Sequence, residues 1–270
     1  MFFCVFIKNS ILMDENRIYH QATGHAKSMK IKTLNRIAKS ICKILKIGTN
    51  SKGTGFFIII DYENTHSKFL VTAHHLLSKD IVDAKKSIEV ILENPNIKQI
   101  IKLNEISRKI ICLQEQDITA IEINEKDLID KYVEYLHYDM TYILNGYGFY
   151  LNKDVFILHH SNGEEIECSS GLIVKIKDPK IFEFQHTLDT DKGASGSPIL
   201  LFEDSNNEAK VMGIHTSGNI YNKNNIGTFI GELVKKINII NGKTIFYFYD
   251  KSLTKKNALI VPNNSIVTVE

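Results

Sequence analysis

The stretch from Gly53 to Leu76, GTGFFIIIDYENTHSKFLVTAHHL, contains two apolar runs separated by a polar segment. The runs FFIIIDY and KFLVTA are rich in β-branched and aromatic residues, which is typical of strands. The cluster Glu63-Asn64-Thr65 between them is typical of a tight turn. The stretch therefore predicts two short strands separated by a turn, the second of which ends at two adjacent histidines, His74 and His75.

Short apolar runs of the same kind recur through most of the chain, separated by turn-forming clusters such as Asn94-Pro95-Asn96. Short strands at this spacing predict an all-β barrel or sandwich. A polar stretch around residues 124 to 140 divides the strands into two groups, which favours two stacked barrels. Residues 230 to 240 have the periodicity of a helix, whereas the spacing in residues 33 to 47 fits either a helix or a strand. The further strand-like runs are IEVIL, KIICL, ITAIEI, TYILNGYGFY, DVFILHH, LIVKI, IFEFQH, PILLF and KVMGIH.

The composition is that of a globular protein without a bulk charge. Of the 270 residues, 33 are basic and 31 are acidic, so the formal net charge is +2. We therefore expect neither nucleic-acid binding nor membrane binding. The N-terminal apolar run ends at Lys8 with no basic segment before it, and no apolar run approaches the roughly 20 residues of a membrane span. These features predict a cytoplasmic protein, with secretion left open, and they leave the oligomeric state undecided.

The four cysteines form no C-x-x-C pair, which argues against a structural zinc site. Their spacing favours free thiols, although two disulfides are arithmetically open. His74 and His75 are neighbours in an extended strand and so point to opposite faces, which does not suit a shared metal ion. No metal and no other cofactor is expected. The cysteines are Cys4, Cys42, Cys112 and Cys168.

Three stretches carry the residue types of nucleophilic catalysis in the order His, Asp, Ser: LVTAHHL, QDITAI and GASGSP. A serine hydroxyl needs a base to take its proton, usually an imidazole that a carboxylate orients. Gly193 and Gly196 flank Ser195 and permit a tight turn whose backbone N–H groups point inward, where they stabilise an oxyanion. Each stretch alone is also common in turns and at strand ends. Their order, with an apolar strand beside each, is what indicates catalysis.

The chain resembles the trypsin-like (chymotrypsin-fold) serine peptidases over about residues 41 to 240. Gly53 to Phe57 is similar to the family's Gly-Thr-Gly-Phe strand, and LVTAHHLL to its T-A-A-H motif. QDITAIEI is similar to its D-I-A-L-L strand, and GASGSP to its G-x-S-G-[GS]-P motif. The resemblance implies an all-β fold of two six-stranded antiparallel β-barrels of chymotrypsin-like type with a C-terminal helix.

The resemblance also implies the catalytic roles. It assigns the base to His75, the orienting carboxylate to Asp117 and the nucleophile to Ser195, with His74 in the position of the family's second alanine. The backbone N–H groups of Gly193 and Ser195 would form the oxyanion hole. The substrate would be a protein or a peptide.

Three flanking motifs resemble the glutamyl-endopeptidase (V8-like) branch of this family. SSGLI is similar to its S-G-x-I, LDTDKGASGSP to its D-T-x-x-G-x-S-G-S-P, and VMGIH to its V-I-G-I-H. The branch implies that Thr190 and His215 line the specificity pocket and bind an acidic P1 side chain. A hydroxyl and an imidazole are both able to donate hydrogen bonds to a carboxylate. Asp189 leaves open a basic P1 preference of the trypsin type.

The sequence therefore predicts a serine endopeptidase with a preference for acidic P1 residues. The first alternative is a catalytically silent trypsin-like domain that acts as a protein-binding or regulatory module. A second is a peptidase held latent by its N-terminal segment. We expect a leader or regulatory segment over residues 1–40, an N-terminal β-barrel over 41–135, a C-terminal β-barrel with a closing helix over 136–240, and a C-terminal extension over 241–270.

Overall fold

The computed structural model describes residues 13–14, 17–19, 28–49, 51–62, 65–84, 86–103, 108–177, 182–203, 208–218, 224–240, 243–248 and 257–262. Most of the strand residues lie in two seven-stranded β-sheets. Their strands are almost all antiparallel, and one helix lies near the C-terminal end of the second sheet. The predicted all-β double-barrel class with a C-terminal helix is therefore confirmed.

A small three-stranded antiparallel sheet precedes the first large sheet. Its last strand runs directly into a helix whose Ile37 is 1% exposed and belongs to the main core. The ambiguous residues 33 to 47 thus divide between the end of this helix and the first strand of the large sheet. These elements are β1 (Met13–Asp14), β2 (Arg17–Tyr19), β3 (Ser28–Lys30) and α1 (Ile31–Ala38).

The first large sheet has the strand order β8-β7-β4-β5-β6-β10-β9, and every neighbouring pair is antiparallel. Among the described residues its two outer strands do not pair with each other, so the sheet curves without closing. Its elements are β4 (Ile41–Lys46), β5 (Lys52–Tyr62), β6 (Thr65–Ala73), α2 (Lys79–Asp83), β7 (Ser87–Leu92), β8 (Ile97–Lys102), β9 (Ile110–Leu113) and β10 (Ile118–Glu122).

The second large sheet has the order β11-β16-β15-β12-β13-β14-β17. An additional pairing between β16 and β17 closes six of these strands into a barrel, and β11 lies parallel to β16 at its outside. Its elements are β11 (His137–Tyr138), α3 (Thr141–Asn145), β12 (Asp154–His160), β13 (Ile166–Ile176), β14 (Glu183–His186), β15 (Pro198–Glu203), β16 (Glu208–Ser217) and β17 (Asn225–Phe229).

The helix α4 (Gly231–Ile240) follows β17 directly, which confirms the helix predicted from its periodicity. After it, β18 (Lys243–Phe248) and β19 (Asn257–Pro262) form an antiparallel hairpin. No helix in the described part of the chain is long and apolar enough to cross a membrane.

The main core lies where the two large sheets meet. Phe56 and Val71 from the first sheet pack in one cluster with Leu158 and Ile214 from the second, and Leu233 of α4 joins them. All five are at most 2% exposed. Burial of apolar area on this scale is the dominant stabilising term in folding. It holds together the ends of the strands that carry the predicted catalytic residues.

The run TYILNGYGFY was predicted as a strand, and this prediction is wrong. Residues 141–145 form α3, and Tyr147–Tyr150 form a 3-10 turn. The Asp139 carboxylate accepts hydrogen bonds from the backbone N and the hydroxyl of Thr141, which starts the helix, and Gly146 ends it at φ +70°. Aromatic residues favour strands only where a pleated surface receives them. Here the Tyr147 ring stacks on Phe229 at 4.4 Å.

Eight of the described strands were not predicted from the sequence, among them β8 and β17 of the large sheets. In β8 only Ile101 is buried, and its neighbours are polar or partly exposed, so its apolar signal is weak. In β17 the run NIGTF is short and contains a glycine.

The predicted segment boundaries at residues 40, 135 and 240 stay predictions. Cys42, Cys112 and Cys168 are free thiols, and Cys4 lies outside the described residues.

Candidate active site

His75 and Asp117 meet at one end of the first sheet. They are brought together by the register of β6 and β10, in which Ala73 lies opposite Ile118. His75 follows β6 by two residues, and Asp117 immediately precedes β10. His75 Nδ1 lies 2.7 Å from Asp117 Oδ2, and the backbone N of His75 donates to Oδ1 at 2.8 Å. A carboxylate only accepts, so the ring proton is on Nδ1 and the lone pair of Nε2 faces away as the basic site.

The backbone at Asp117 is held in a left-handed conformation with φ +53°. Aspartate tolerates this region better than most residues. The Asp117 amide donates to Gln114 O at 3.2 Å, and its carbonyl accepts from the backbone N of His74 at 3.0 Å. Backbone and side chain of Asp117 are therefore both fixed against the segment that carries His75.

His74 and His75 have different surroundings, which separates their roles. The His75 side chain is 47% exposed, whereas His74 as a residue is 7% exposed. The Thr119 hydroxyl donates to Leu77 O at 2.8 Å and therefore accepts from His74 Nδ1 at 3.0 Å. Burial lowers the pKa of His74 below its usual value, against the opposing effect of Asp117. His74 is thus a neutral side chain bonded inside the turn.

The loop that carries Ser195 is pressed against β5 and β6. Gly196 has φ +90°, and a Cβ there would lie 2.2 Å from Thr54 O and 3.0 Å from Ala73 N. The Ser195 carbonyl accepts from the backbone N of Thr54 at 3.0 Å. No side chain other than hydrogen fits at Gly196, and its close approach puts Ser195 beside the strand end that leads into His75.

The Ser195 hydroxyl does not reach the His75 ring by a hydrogen bond among the described residues. Its Oγ lies 3.5 Å from Thr216 O, which is long for a hydroxyl hydrogen bond. The structure thus joins two of the three predicted catalytic side chains directly. The third residue, Ser195, is held near the same strand ends by the backbone contacts of its loop with Thr54 and Ala73.

The backbone around Gly193 has the polarity that an oxyanion hole needs. The Lys192 carbonyl accepts from Asn162 N, and the Gly193 carbonyl accepts from the Thr54 hydroxyl at 2.8 Å. In a trans peptide the N–H points opposite to the carbonyl, so the Gly193 N–H points away from Asn162. Within the described part of the chain, neither Gly193 N nor Ser195 N donates to a protein acceptor. Both donors are free for a ligand.

His215 lies in a buried histidine pair. Its Nδ1 is 3.2 Å from Nε2 of His186, and the two residues are 3% and 0% exposed. Burial lowers the pKa of His186 to about 3. Burial, and then the neighbouring His186, lower the pKa of His215 well below its usual value. Both rings are therefore neutral near pH 7.

Thr190 is tied to the same part of the barrel through Asn225. The Asn225 Nδ2 group donates to Thr190 Oγ1 at 2.8 Å and to Leu188 O at 2.7 Å. Asn225 is also the β17 partner of His186 in β14. His186 therefore contacts His215, and its strand partner Asn225 contacts Thr190, so the two predicted pocket residues are linked through this pair.

No family model and no curated protein matches the chain. Solved structures match the chain in fold. A serine endoprotease from Yersinia pestis superposes with a TM-score of 0.53 at 13% identity, covering 80% of this chain and 69% of that one. The protease Rv3671c from M. tuberculosis H37Rv, a mutant in an inactive form, gives a TM-score of 0.51 at 15% identity over 77% and 90% of the two chains. A second structure of Rv3671c protease, also in an inactive form, gives 0.51 at 15% identity over 77% and 92%.

The chain has the fold of these serine proteases. At such identities the similarity concerns the fold, so the site must be argued from the chain's own residues. The described residues contain no group of three or more His, Cys, Asp or Glu side chains arranged to hold a metal ion.

Three residues of this site were missed by the sequence analysis: Thr54, His186 and Asn225. Thr54 lies inside the quoted GTGF motif, but a motif does not show where a hydroxyl points. His186 ends the predicted strand IFEFQH, and alternation along that strand gave the available signal for an inward side chain. Asn225 lies in β17, one of the strands that were not predicted from the sequence.

Proposed function

We propose that the protein is a serine endopeptidase that hydrolyses peptide bonds of a protein or peptide substrate through an acyl-enzyme. The observation that carries the proposal is the two-point contact between Asp117 and His75, at 2.7 and 2.8 Å, beside the Ser195 loop. A carboxylate that holds both the ring and the backbone of a histidine fixes the tautomer and orientation that a general base needs.

The proposed reaction runs in two halves. Ser195 Oγ attacks the scissile carbonyl while His75 Nε2 takes the hydroxyl proton, and the N–H groups of Gly193 and Ser195 stabilise the resulting oxyanion. The C–N bond then breaks, and the leaving amine takes the proton from His75. Water next attacks the acyl ester with His75 again as base, which releases the carboxylic acid and restores Ser195. These steps require no cofactor.

The serine must rotate for the first step. Its Oγ lies against Thr216 O at 3.5 Å, and a turn about the Cα–Cβ bond directs it elsewhere. Catalytic hydrogen bonds are often long in the absence of substrate and tighten in the complex. The position of Oγ therefore agrees with a resting site.

Labelling with a fluorophosphonate tests this proposal. Ser195 Oγ would attack phosphorus, fluoride would leave, and the protein would carry the probe. We expect labelling of the wild type and none of Ser195→Ala, while the control Ser51→Ala, at an exposed serine, keeps the label. Equal labelling of wild type and Ser195→Ala would contradict the nucleophile, and no labelling of folded wild type would contradict the activity.

We further propose the preference for acidic P1 side chains that distinguishes the V8-like branch. Thr190 Oγ1 accepts from Asn225, and no described residue accepts its proton, so its O–H is free to donate to a carboxylate. If His186 donates its Nε2 proton to His215 Nδ1, the His215 proton is on Nε2 and also available. Two neutral donors that converge on a carboxylate give charge-assisted bonds.

A peptide library with varied P1 residue tests the preference. We expect cleavage after Glu or Asp, and a loss of about 10²-fold in kcat/KM for Glu substrates in Thr190→Val, with little change for Leu substrates. Cleavage after Lys or Arg would instead favour a role for Asp189 and overturn the acidic preference.

A second candidate function is that of a silent domain that binds proteins. The observation that favours it is the orientation of Ser195 Oγ toward Thr216 O and not toward His75. The labelling experiment separates the two candidates, because a silent domain would fold and yet remain unlabelled.

A further inference from the structure

The three polar atoms of Thr54 make four hydrogen bonds at the junction of the two large sheets. Its backbone N donates to Ser195 O at 3.0 Å, and its carbonyl accepts from Thr72 Oγ1 at 2.9 Å. Its hydroxyl donates to Gly193 O at 2.8 Å and accepts from His160 N at 3.0 Å. Thr54 is 0% exposed, so water does not compete for these partners.

The direction of the hydroxyl bonds follows from the chemistry of the partners. An amide N–H such as that of His160 only donates, and a carbonyl such as that of Gly193 only accepts. The single hydroxyl proton of Thr54 is therefore directed at Gly193 O, and its lone pair receives the His160 N–H. The hydroxyl fits its two partners in one orientation.

Gly193 is the residue whose peptide groups most need such an anchor. It has φ +98°, and glycine rotates more freely about its backbone bonds than any other residue. Its own carbonyl is held by Thr54, and the preceding carbonyl, of Lys192, is held by Asn162 N. With the carbonyl groups on both sides of its Cα held, the φ and ψ angles of Gly193 are restrained, and its N–H points opposite to Lys192 O.

We propose that Thr54 is a positioning residue that holds the Gly193 backbone in the conformation in which its N–H serves the oxyanion hole. The inference rests on the proposed peptidase function. Without the hydroxyl, Gly193 O loses its side-chain donor, and only the Ala194 N–H, which donates to Asp191 O at 3.1 Å, still holds the peptide that follows Gly193. The φ and ψ angles of Gly193 are then less restrained, and its N–H is no longer held in the oxyanion hole. Thr54 itself touches neither the substrate nor the reacting atoms.

Thr54→Val removes the hydroxyl and keeps the shape and the strand preference of the side chain. Thr54→Ser keeps the hydroxyl and removes only a methyl group. Thr33→Val is the matched control, because Thr33 is also buried, at 5% exposure, but lies on α1. Each variant is first checked for cooperative thermal unfolding.

The measured quantity is the second-order rate constant of fluorophosphonate labelling as a function of pH. Loss of one oxyanion donor costs about 10²–10³-fold in rate, and we expect a loss of about that size in Thr54→Val. Thr54→Ser and Thr33→Val should stay close to wild type. The pH midpoint of labelling should not move in Thr54→Val, since His75 and Asp117 are not bonded to Thr54. Labelling of Thr54→Val at the wild-type rate, or an equal loss in Thr54→Ser, would overturn the inference.

A spectroscopic measurement tests the inference even if the wild type is not labelled, in which case the proposed function fails by itself. The sequence contains two Lys-Gly pairs, Lys52-Gly53 and Lys192-Gly193. Labelling lysine carbonyls with 13C and glycine amides with 15N therefore gives two NMR peaks, and Lys52→Arg identifies the Gly53 peak. We expect the Gly193 peak to shift or broaden in Thr54→Val and to stay in place in Thr54→Ser. An unmoved Gly193 peak in Thr54→Val would overturn the inference.

Discussion

Asp117 holds His75 at two points, because one carboxylate oxygen accepts from the imidazole Nδ1 and the other from the backbone N of the same residue. A single carboxylate thereby fixes both the orientation of the ring and the position of the chain that carries it. The left-handed backbone of Asp117 is the local strain that this arrangement requires.

Asp117→Asn should lower the proposed activity severely while the fold is kept. The amide is nearly isosteric, but its NH₂ group turned toward Nδ1 would favour the other tautomer and put the proton on Nε2. A change of this kind in a catalytic triad costs about 10⁴-fold in kcat. The fluorophosphonate labelling rate measures the loss, with Asp80→Asn, at an exposed aspartate of α2, as the control. Labelling within a few-fold of wild type would contradict the orienting role.

The ion pair between Arg108 and Asp127 should contribute strongly to stability. Its side chains are 3% and 7% exposed, and the guanidinium lies 2.8 and 2.9 Å from the two carboxylate oxygens. Removing one partner of such a pair costs about 3–5 kcal/mol, because the other charge stays buried. We therefore expect Asp127→Ala to lower the free energy of unfolding in urea by about that amount at pH 7. The exposed pair Lys79–Asp83 is the control, and Asp83→Ala should cost less than about 1 kcal/mol.

The Arg108–Asp127 ion pair also predicts that the free energy of unfolding decreases at acidic pH. Burial alone would raise the pKa of Asp127, but the hydrogen bonds from Arg108 and Asn124 outweigh it and leave the pKa below its usual value. The unfolded chain then takes up a proton first, so the contribution of Asp127 is complete above about pH 4 and is lost as the pH falls through the lower folded pKa. Urea unfolding at pH 7 and pH 3 measures this loss. If the free energy of unfolding fell by the same amount between pH 7 and pH 3 in Asp127→Ala as in the wild type, the role of Asp127 would be contradicted.

The neutral His186–His215 pair predicts a second pH effect at higher pH. The folded pKa of His186 is about 3, against about 6.5 in the unfolded chain. The unfolded chain therefore binds more protons between these values, and stability falls as the pH is lowered from about 6.5. One such histidine contributes a slope of about 1.4 kcal/mol per pH unit. Melting temperatures between pH 7 and pH 4.5 should decline less steeply in His186→Leu than in wild type, and an unchanged slope would contradict the prediction.

Asn225→Leu should reduce the proposed acidic preference without touching the catalytic pair. The substitution removes the Nδ2 group that holds Thr190 Oγ1 and Leu188 O, so the Thr190 hydroxyl is no longer oriented. We expect kcat/KM for Glu at P1 to fall about tenfold relative to Leu at P1, with an unchanged rate of fluorophosphonate labelling. A uniform fall for both substrates would show a general structural effect instead.

Ile37→Ala should destabilise the whole fold, although Ile37 lies within the predicted leader segment. Its side chain is 1% exposed and packs in the core between the two large sheets. Truncation of a buried isoleucine to alanine costs about 2–5 kcal/mol. Urea unfolding measures the loss, with Ile31→Ala as the control, since Ile31 is 38% exposed on the same helix. A loss below 1 kcal/mol would contradict the role of α1 in the core.

Much of the fold was predictable because buried strands carry a strong local signal. The runs in β5, β10 and β15 are apolar over most of their length, and the three motifs lie at the ends of β6, β10 and β15. The run at residues 141–150 was misassigned because its helix depends on the hydrogen bonds that Thr141 donates to Asp139 and on aromatic contacts with Phe229, which is distant in sequence. Tertiary contacts of this kind outweigh local preference.

The site was predictable only in part for a related reason. His75, Asp117 and Ser195 stand in recognisable motifs, and the register of β6 and β10 explains why the first two meet. His186 and Asn225 act through a strand pairing that no motif records. The two adjacent histidines were separated by burial, which the sequence does not show.

The hydroxyl of Thr54 belongs to the first sheet, yet both of its partners, Gly193 O and His160 N, belong to the second half of the chain. The two halves are therefore not exchangeable modules. A chimera that joined the first half of this chain to the second half of another double-barrel protein would lack a matched donor for the grafted loop. If one half of such a protein were exchanged in evolution, the hydroxyl at residue 54 would have to be exchanged with it. We therefore expect residue 54 and the Ser195 loop to be inherited together.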